Sequence, residues 1–107
     1  KTSKDFYHAA LILQHGENSN DYKLANEFAK KAMDAGLEKP KWLYAATLDR
    51  LLLSQGKPQK FGTQFEMKNG WWKLAPVDKS TTDEERAKYN VPPLKYALKR
   101  FQEKYTN

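Results

Sequence analysis

Three glycines at even spacing, Gly16, Gly36 and Gly56, divide the first half of the chain into segments of helical length. Each follows a run whose apolar residues recur at three- and four-residue intervals, and a glycine directly after such a run is a common helix stop. The first run, from about Lys4 to His15, carries Phe6, Ala9, Ala10, Leu11, Ile12 and Leu13. Its nearly all-round apolar surface predicts a helix deep in the core, closed by Gly16 in the left-handed conformation. Glu17-Asn18-Ser19-Asn20 offers caps for a second helix from about Asp21, with Tyr22, Ala25, Phe28, Ala29, Ala32 and Met33 inward and its lysines outward, ending before Gly36. Pro40 suits the first turn of a third helix, in which Trp42, Ala45, Ala46, Asp49, Leu52 and Leu53 share one face up to Gly56.

After Gly56 the period changes. Phe61 to Lys68 and Trp71 to Val77 flank Asn69-Gly70, the pair favoured in a two-residue hairpin turn because both positions take positive φ. Ser80-Thr81-Thr82 supplies N-caps for an acid-first helical turn, Asp83-Glu84-Glu85-Arg86, which stops near Asn90. A last helix follows Pro92-Pro93, with Leu94, Ala97, Leu98 and Phe101 as its inward stripe. The expected fold is α+β and mainly helical, in one domain over residues 1–107: a helical array over 4–56, a loop and β-hairpin over 57–78, and two short C-terminal helices over 81–105. His8-Ala9-Ala10-Leu11-Ile12-Leu13 lies 36 positions before Tyr44-Ala45-Ala46-Thr47-Leu48-Asp49. In that period the array resembles tetratricopeptide and Sel1-like helical hairpins, of which one and a half units are present.

Composition narrows the function classes. The chain is 39% hydrophobic, enough for a core in 107 residues, while a mean hydropathy of −0.92 describes a heavily charged surface. It has no cysteine, which removes disulfides, thiol catalysis and thiolate metal sites. No apolar run approaches the roughly 20 residues of a membrane-spanning helix, so no membrane is expected as a partner. A net charge of +6 invites a nucleic-acid reading, but the lysines are spread over every segment and interleaved with acids, without an arginine-rich stripe. A solvated basic surface is the better account. Lys1 in place of methionine reads as trimming or processing; a soluble protein is expected, cytoplasmic or secreted after processing, and no residue chooses between the two.

The informative residues are polar ones out of place. Asp49 lies on the apolar face of the third helix, and a carboxylate there must find donors. Candidates are Arg50, His15, Thr63 and the side-chain amides of Gln59 and Gln64. His15, beside Gln14 at the end of the first helix, reads either as a C-terminal cap or, if held by Asp49, as a general acid or base. His8 stands two turns before it, about 10 Å along the helix axis, so the two histidines do not share a metal ion and no zinc site is expected. In Lys57-Pro-Gln-Lys-Phe-Gly-Thr-Gln64, Gly62 allows a positive φ or a close backbone approach, and Gln59, Thr63 and Gln64 offer uncharged donors and acceptors. The segment lacks the spacing of a nucleotide-phosphate loop, and Ser54, Thr63 and Ser80 sit in no nucleophile elbow. Trp71 and Trp72 should point to opposite faces of their strand, one indole inward. With Tyr89 and Tyr96 these aromatics can floor a groove for a peptide or planar ligand, or simply pack the core.

Read in order, Gln14-His15, Asp49-Arg50 and Gln59-Lys60-Phe61-Gly62-Thr63-Gln64 resemble the QH, DR and Q-x-[YF]-G-T-Q signature of a bacterial family of domains of unknown function. Where members usually carry tyrosine before Gly-Thr-Gln, Phe61 stands here without the phenolic hydroxyl. The resemblance implies that His15, Asp49, Arg50, Gln59, Thr63 and Gln64 act together, and it supplies no activity. Two functional expectations follow. In the first, Gln14, Arg50, Gln59, Thr63 and Gln64 line a polar pocket for a small anionic or peptide-like ligand, with Arg50 on its anionic group and His15 and Asp49 available for proton transfer, without a cofactor. In the second, these residues only hold the helices to the hairpin, and the chain is a non-catalytic, tetratricopeptide-like module whose exposed aromatic-basic face binds a protein partner.

Overall fold

The computed structural model describes residues 2–16 and 18–98. Helices α1 (Ser3–Leu13), α2 (Ser19–Asp34) and α3 (Lys39–Ser54) are followed by an antiparallel hairpin of β1 (Phe65–Lys68) and β2 (Trp71–Leu74) and by α4 (Asp83–Lys88), after which residues 94–98 are again helical. This is the mainly helical α+β architecture expected, and the local reasons are legible. Thr2 and Asp5 form a reciprocal capping box on α1; Asn18 caps α2 through Asp21, and Thr82 caps α4 through Glu85. Pro40 sits in the first turn of α3. The final helix was expected to run to 105, and its part beyond residue 98, Phe101 included, lies outside the described residues.

The middle helix, α2, packs on both α1 and α3, and its buried contacts are small: Ala25, Ala29 and Ala32. Ala10, Ala29 and Leu43 form a core cluster flanked by Tyr7, Leu11, Phe28 and Tyr44. Asn26 fixes the α2–α3 seam by donating to the Tyr44 carbonyl at 3.0 Å and to Thr47 Oγ1 at 3.1 Å, so half-buried Asn26 and fully buried Thr47 satisfy each other across the helices. No helix among the described residues is long and apolar enough to cross a membrane.

Two expectations for α1 are corrected. It does not lie deep in the core: Ala10 is its only buried described residue and Ile12 is 74% exposed. The reason is topological, because α1 is the outer helix of the array and α2 separates most of it from α3. Nor does Gly16 supply a left-handed cap, as it is absent from the glycines with positive φ. The helix instead closes through tightened turns, His15 N–H to Ile12 and Gly16 N–H to Leu13, and an added Cβ at Gly16 would meet the Asp21 side chain. Close approach is what requires glycine there.

The hairpin turn is as expected, with Asn69 at φ 54° and Gly70 at φ 79°. Its strands are shorter than the periodicity indicates, beginning at Phe65 rather than Phe61 and ending at Leu74 rather than Val77. The cause is competition for backbone hydrogens. The N–H groups of Lys60, Phe61 and Thr63 donate to a side chain of α3, so they are unavailable to a strand ladder. Trp42, expected on the inward face of α3, is 42% exposed, and Leu98 is also largely exposed. Of the two tryptophans expected on opposite faces, Trp72 is exposed on its strand, and the side chain of Trp71 lies outside those described.

Candidate functional site

Asp49 organises the segment that joins α3 to the hairpin. Ala45 and Asp49, one turn apart, point the same way, and Ala45 packs with Phe61 and Val91 in a second core cluster. Asp49 is fully buried. Its Oδ1 accepts from the backbone N–H groups of Lys60 at 2.8 Å and Phe61 at 2.9 Å; its Oδ2 accepts from the Thr63 N–H at 3.1 Å and the Thr63 hydroxyl at 2.7 Å. A carboxylate has about four acceptor positions, and all are occupied by this one loop. Gly62, at φ 89°, lets the chain reverse so that the N–H groups on either side converge on the same carboxylate.

Gln59 completes the closure and is also fully buried. Its Nε2 donates to the Gln64 carbonyl at 3.0 Å and the Ala75 carbonyl at 2.8 Å, and its Oε1 accepts the Gln64 N–H at 2.9 Å. Its backbone N–H donates to Pro76 and its carbonyl accepts from Asp78, forming an isolated parallel bridge with Val77. Gln64 Nε2 donates to Thr63 Oγ1 at 3.0 Å, extending the chain of hydrogen bonds from Asp49 outward. Asp49, Gln59, Thr63 and Gln64 are thus one connected unit.

A residue that sequence reasoning passed over locks the other side. Arg86 of α4 is 3% exposed; its Nε donates to the Phe61 carbonyl at 2.8 Å, and its Nη1 donates to the Thr81 carbonyl and Asp83 Oδ1, both at 3.0 Å. The loop's N–H groups are therefore held by α3 and a carbonyl by α4. A signal was present: only three of the 19 basic residues are arginine, Arg50, Arg86 and Arg100, and arginine's forked donors suit buried carbonyls better than a lysine ammonium. Lys60 adds an outer ion pair with Glu85 at 3.0 Å, which raises the lysine pKa, chiefly through that hydrogen bond.

The other anticipated site residues stand apart. His15 is exposed at the end of α1, and among the described residues neither it nor Gln14 makes a side-chain hydrogen bond. The expected pairing of His15 with Asp49 is not formed, since Asp49 is buried with its acceptor positions filled from the loop. Arg50 neighbours Asp49 in sequence but leaves α3 about 100° around the axis. It shares a side with Thr47 and Ser54, which bond to Asn26 and Ser19 of α2. Its Nε is buried without a hydrogen-bond partner among the described residues.

Concave surface lies beside this unit. A slot of about 60 Å³ is lined by Trp42, Gly62, Thr63, Phe65, Val91, Pro92, Tyr96 and Ala97. Tyr89, expected to help floor a groove, instead stacks on Tyr44 at 5.2 Å and meets the Phe61 ring edge-on at 5.1 Å, inside the second core cluster. Together these features define a mainly helical α+β protein in which Asp49, Gln59 and Thr63 clamp one loop. Comparison of the chain with family models, curated proteins and solved structures gives no match.

Proposed function

We propose that the chain is a non-catalytic protein-interaction module in which the Asp49–Gln59–Thr63–Gln64 unit is a clasp that holds the loop against α3. The observation that carries this reading is the full burial of Asp49 together with its four donors, all drawn from residues 60–63. A carboxylate so engaged has no acceptor position for a ligand and no imidazole to orient. Gln59 is spent in the same way, on backbone groups of the loop and of the chain after β2.

The test is a thermal-shift screen of carboxylates, phosphates, sugars and dipeptides against the wild type, His15→Ala and Gln64→Ala. On the module reading no compound stabilises the wild type in a manner that either variant abolishes, and His15→Ala keeps the wild-type midpoint. A ligand whose stabilisation vanishes in Gln64→Ala, at an unchanged midpoint of the free variant, would overturn it. One observation favours the pocket reading at a different place, the buried and unpaired Nε of Arg50. An anion there would supply the missing acceptor. Inorganic phosphate at constant ionic strength should then stabilise the wild type but not Arg50→Gln.

A further inference from the structure

We propose that the slot between Trp42 and Tyr96 binds an extended, proline-bearing segment with acidic flanks, presented by a partner protein. This rests on the interaction-module reading and names the surface and the chemistry of the partner. Trp42 and Tyr96, 42% and 48% exposed, stand on the slot's rim, while Val91 is buried at its floor. Large aromatic side chains cost free energy to leave in water, and two of them facing one concavity mark it as a contact surface.

Size selects the occupant. At about 60 Å³ the slot takes one small side chain rather than the apolar face of a helix, which needs a longer groove. The available polar groups point the same way. The Trp42 indole N–H is a donor with no acceptor among the described residues, and the Tyr96 hydroxyl is likewise uncommitted. A polyproline II segment offers carbonyls and few N–H groups, so rim donors suit it better than acceptors would. Its proline rings stack on aromatic faces, and its preformed shape reduces the entropy lost on docking.

Charge selects the flanks. Lys95, beside Tyr96, is exposed and has no carboxylate partner among the described residues, and its Nζ lies 5.4 Å from the Tyr96 ring centroid; Lys39, one turn before Trp42, is also exposed without a carboxylate partner among them, and borders the adjoining concavity that Tyr7 and His8 line. The neighbouring acid Glu38 is already tied to Lys41 at 3.1 Å. With a net charge of +6, a second copy of the chain would bring like charge to these lysines, whereas glutamate or aspartate flanks complement them.

The experiment is a ¹⁵N NMR titration of the full chain with a ten-residue peptide bearing a Pro-x-x-Pro core and two glutamates at each end. Saturable shifts are expected at the Trp42 indole, Thr63, Phe65 and Tyr96. Replacing the peptide prolines by alanine, or its glutamates by lysine, should weaken binding at least about tenfold, as should Trp42→Ala. Trp42→Phe, which keeps an aromatic face of smaller area and removes the N–H, serves should the alanine variant not fold, and it should weaken binding by a smaller factor. No saturable shift, equal binding of the alanine peptide, indifference to both Trp42 variants, or tighter binding of a ten-base single-stranded oligonucleotide at the same residues would each overturn the proposal. Failure of the module reading looks different, because a small ligand would then shift Gln59 to Gln64 and be lost in Gln64→Ala.

Discussion

Replacing Asp49 should reveal how much of this fold hangs on one carboxylate. In Asp49→Asn the amide oxygen can retain the N–H groups of Lys60 and Phe61, now at 2.8 and 2.9 Å, while the new NH₂ faces Thr63. The Thr63 hydroxyl can rotate from donor to acceptor, but its backbone N–H, 3.1 Å from Oδ2, cannot. One backbone donor is thereby stranded, at about 1–3 kcal/mol, and the surviving bonds lose their charge assistance, so a total of about 2–4 kcal/mol is expected. Asp49→Ala strands the acceptorless N–H groups of all three residues and leaves a void, for about 4–6 kcal/mol after partial rescue by water. At roughly 4–8 °C per kcal/mol for a domain near this size, the asparagine variant should melt some 10–25 °C below the wild type.

Urea and thermal unfolding followed by far-UV circular dichroism and tryptophan fluorescence would measure both. Thr63→Val supplies the control, because it keeps the Thr63 backbone N–H and deletes only the hydroxyl's two bonds, the 2.7 Å bond to Asp49 and the 3.0 Å bond accepted from Gln64 Nε2. Combined with Asp49→Asn it should cost less than the sum of the singles, since the two share a bond. Midpoints for both Asp49 variants within about 3 °C of wild type, less than about 1 kcal/mol, would refute the clasp reading. So would additivity in the cycle.

Three further outcomes are expected. Gln59→Glu places a carboxylate oxygen against the Gln64 and Ala75 carbonyls in a fully buried site, so it should cost more than about 3 kcal/mol at pH 7 and recover in part near pH 4.5, where a protonated glutamate donates again; melting curves at the two pH values decide this. Arg86→Lys cannot span the Phe61 and Thr81 carbonyls as the guanidinium does and should lose about 2–3 kcal/mol by urea unfolding, whereas Lys60→Ala at the exposed ion pair should lose about 1 kcal/mol or less. Hydrogen bonds from the Thr2 backbone and hydroxyl hold Asp5 below its ordinary pKa, Lys41 does the same for Glu38, and the Ser80 backbone and hydroxyl for Asp78. Their stabilisation is therefore complete above the unfolded values of 3.8 to 4.5 and is lost as pH falls through the lower folded ones, so Asp78→Asn should flatten the acid limb of the pH–stability curve and leave its pH 7 to 9 region level.

The sequence makes the elements legible where one local rule suffices. Gly36 and Gly56 end helices at φ 97° and 76°, Asn69-Gly70 turns the hairpin, and Thr82 starts α4, each by short-range geometry alone. Asp49 was legible as a polar residue on an apolar face, and Thr63 as one of its donors. What escaped was long-range. Ile12 looks like a core residue until the array places α1 on the outside, and Phe61 looks like a strand residue until its N–H is claimed by a helix twelve residues earlier. Histidine 15 and the Asp49 carboxylate are both recognisable as polar anomalies, but their separation depends on where α1 ends relative to the loop, which no spacing encodes. Arg86 was hidden because its surroundings, Asp83 to Lys88, read as a solvated charged helix.

Clasp and slot meet at Gly62, which gives the two proposals a shared test. Its φ of 89° turns the loop toward Asp49, and its Cα side also lines the slot beneath Trp42 and Tyr96. A Cβ there would lie 2.9 Å from Leu94 Cδ1, two residues before Tyr96. In Gly62→Ala the left-handed backbone costs about 1–2 kcal/mol, and the leucine tip must shift, carrying strain into the segment that bears one rim of the slot. The variant should therefore stay folded at 25 °C with a midpoint lowered by roughly 5–15 °C. If the clasp positions the slot, it should also bind the proline-bearing peptide several-fold more weakly than wild type at a temperature where both are fully folded. Asp78→Asn, outside the slot, should bind normally. Unchanged peptide affinity in Gly62→Ala, with the midpoint lowered as expected, would show that the clasp only stabilises the fold and that the Trp42–Tyr96 surface keeps its shape without it.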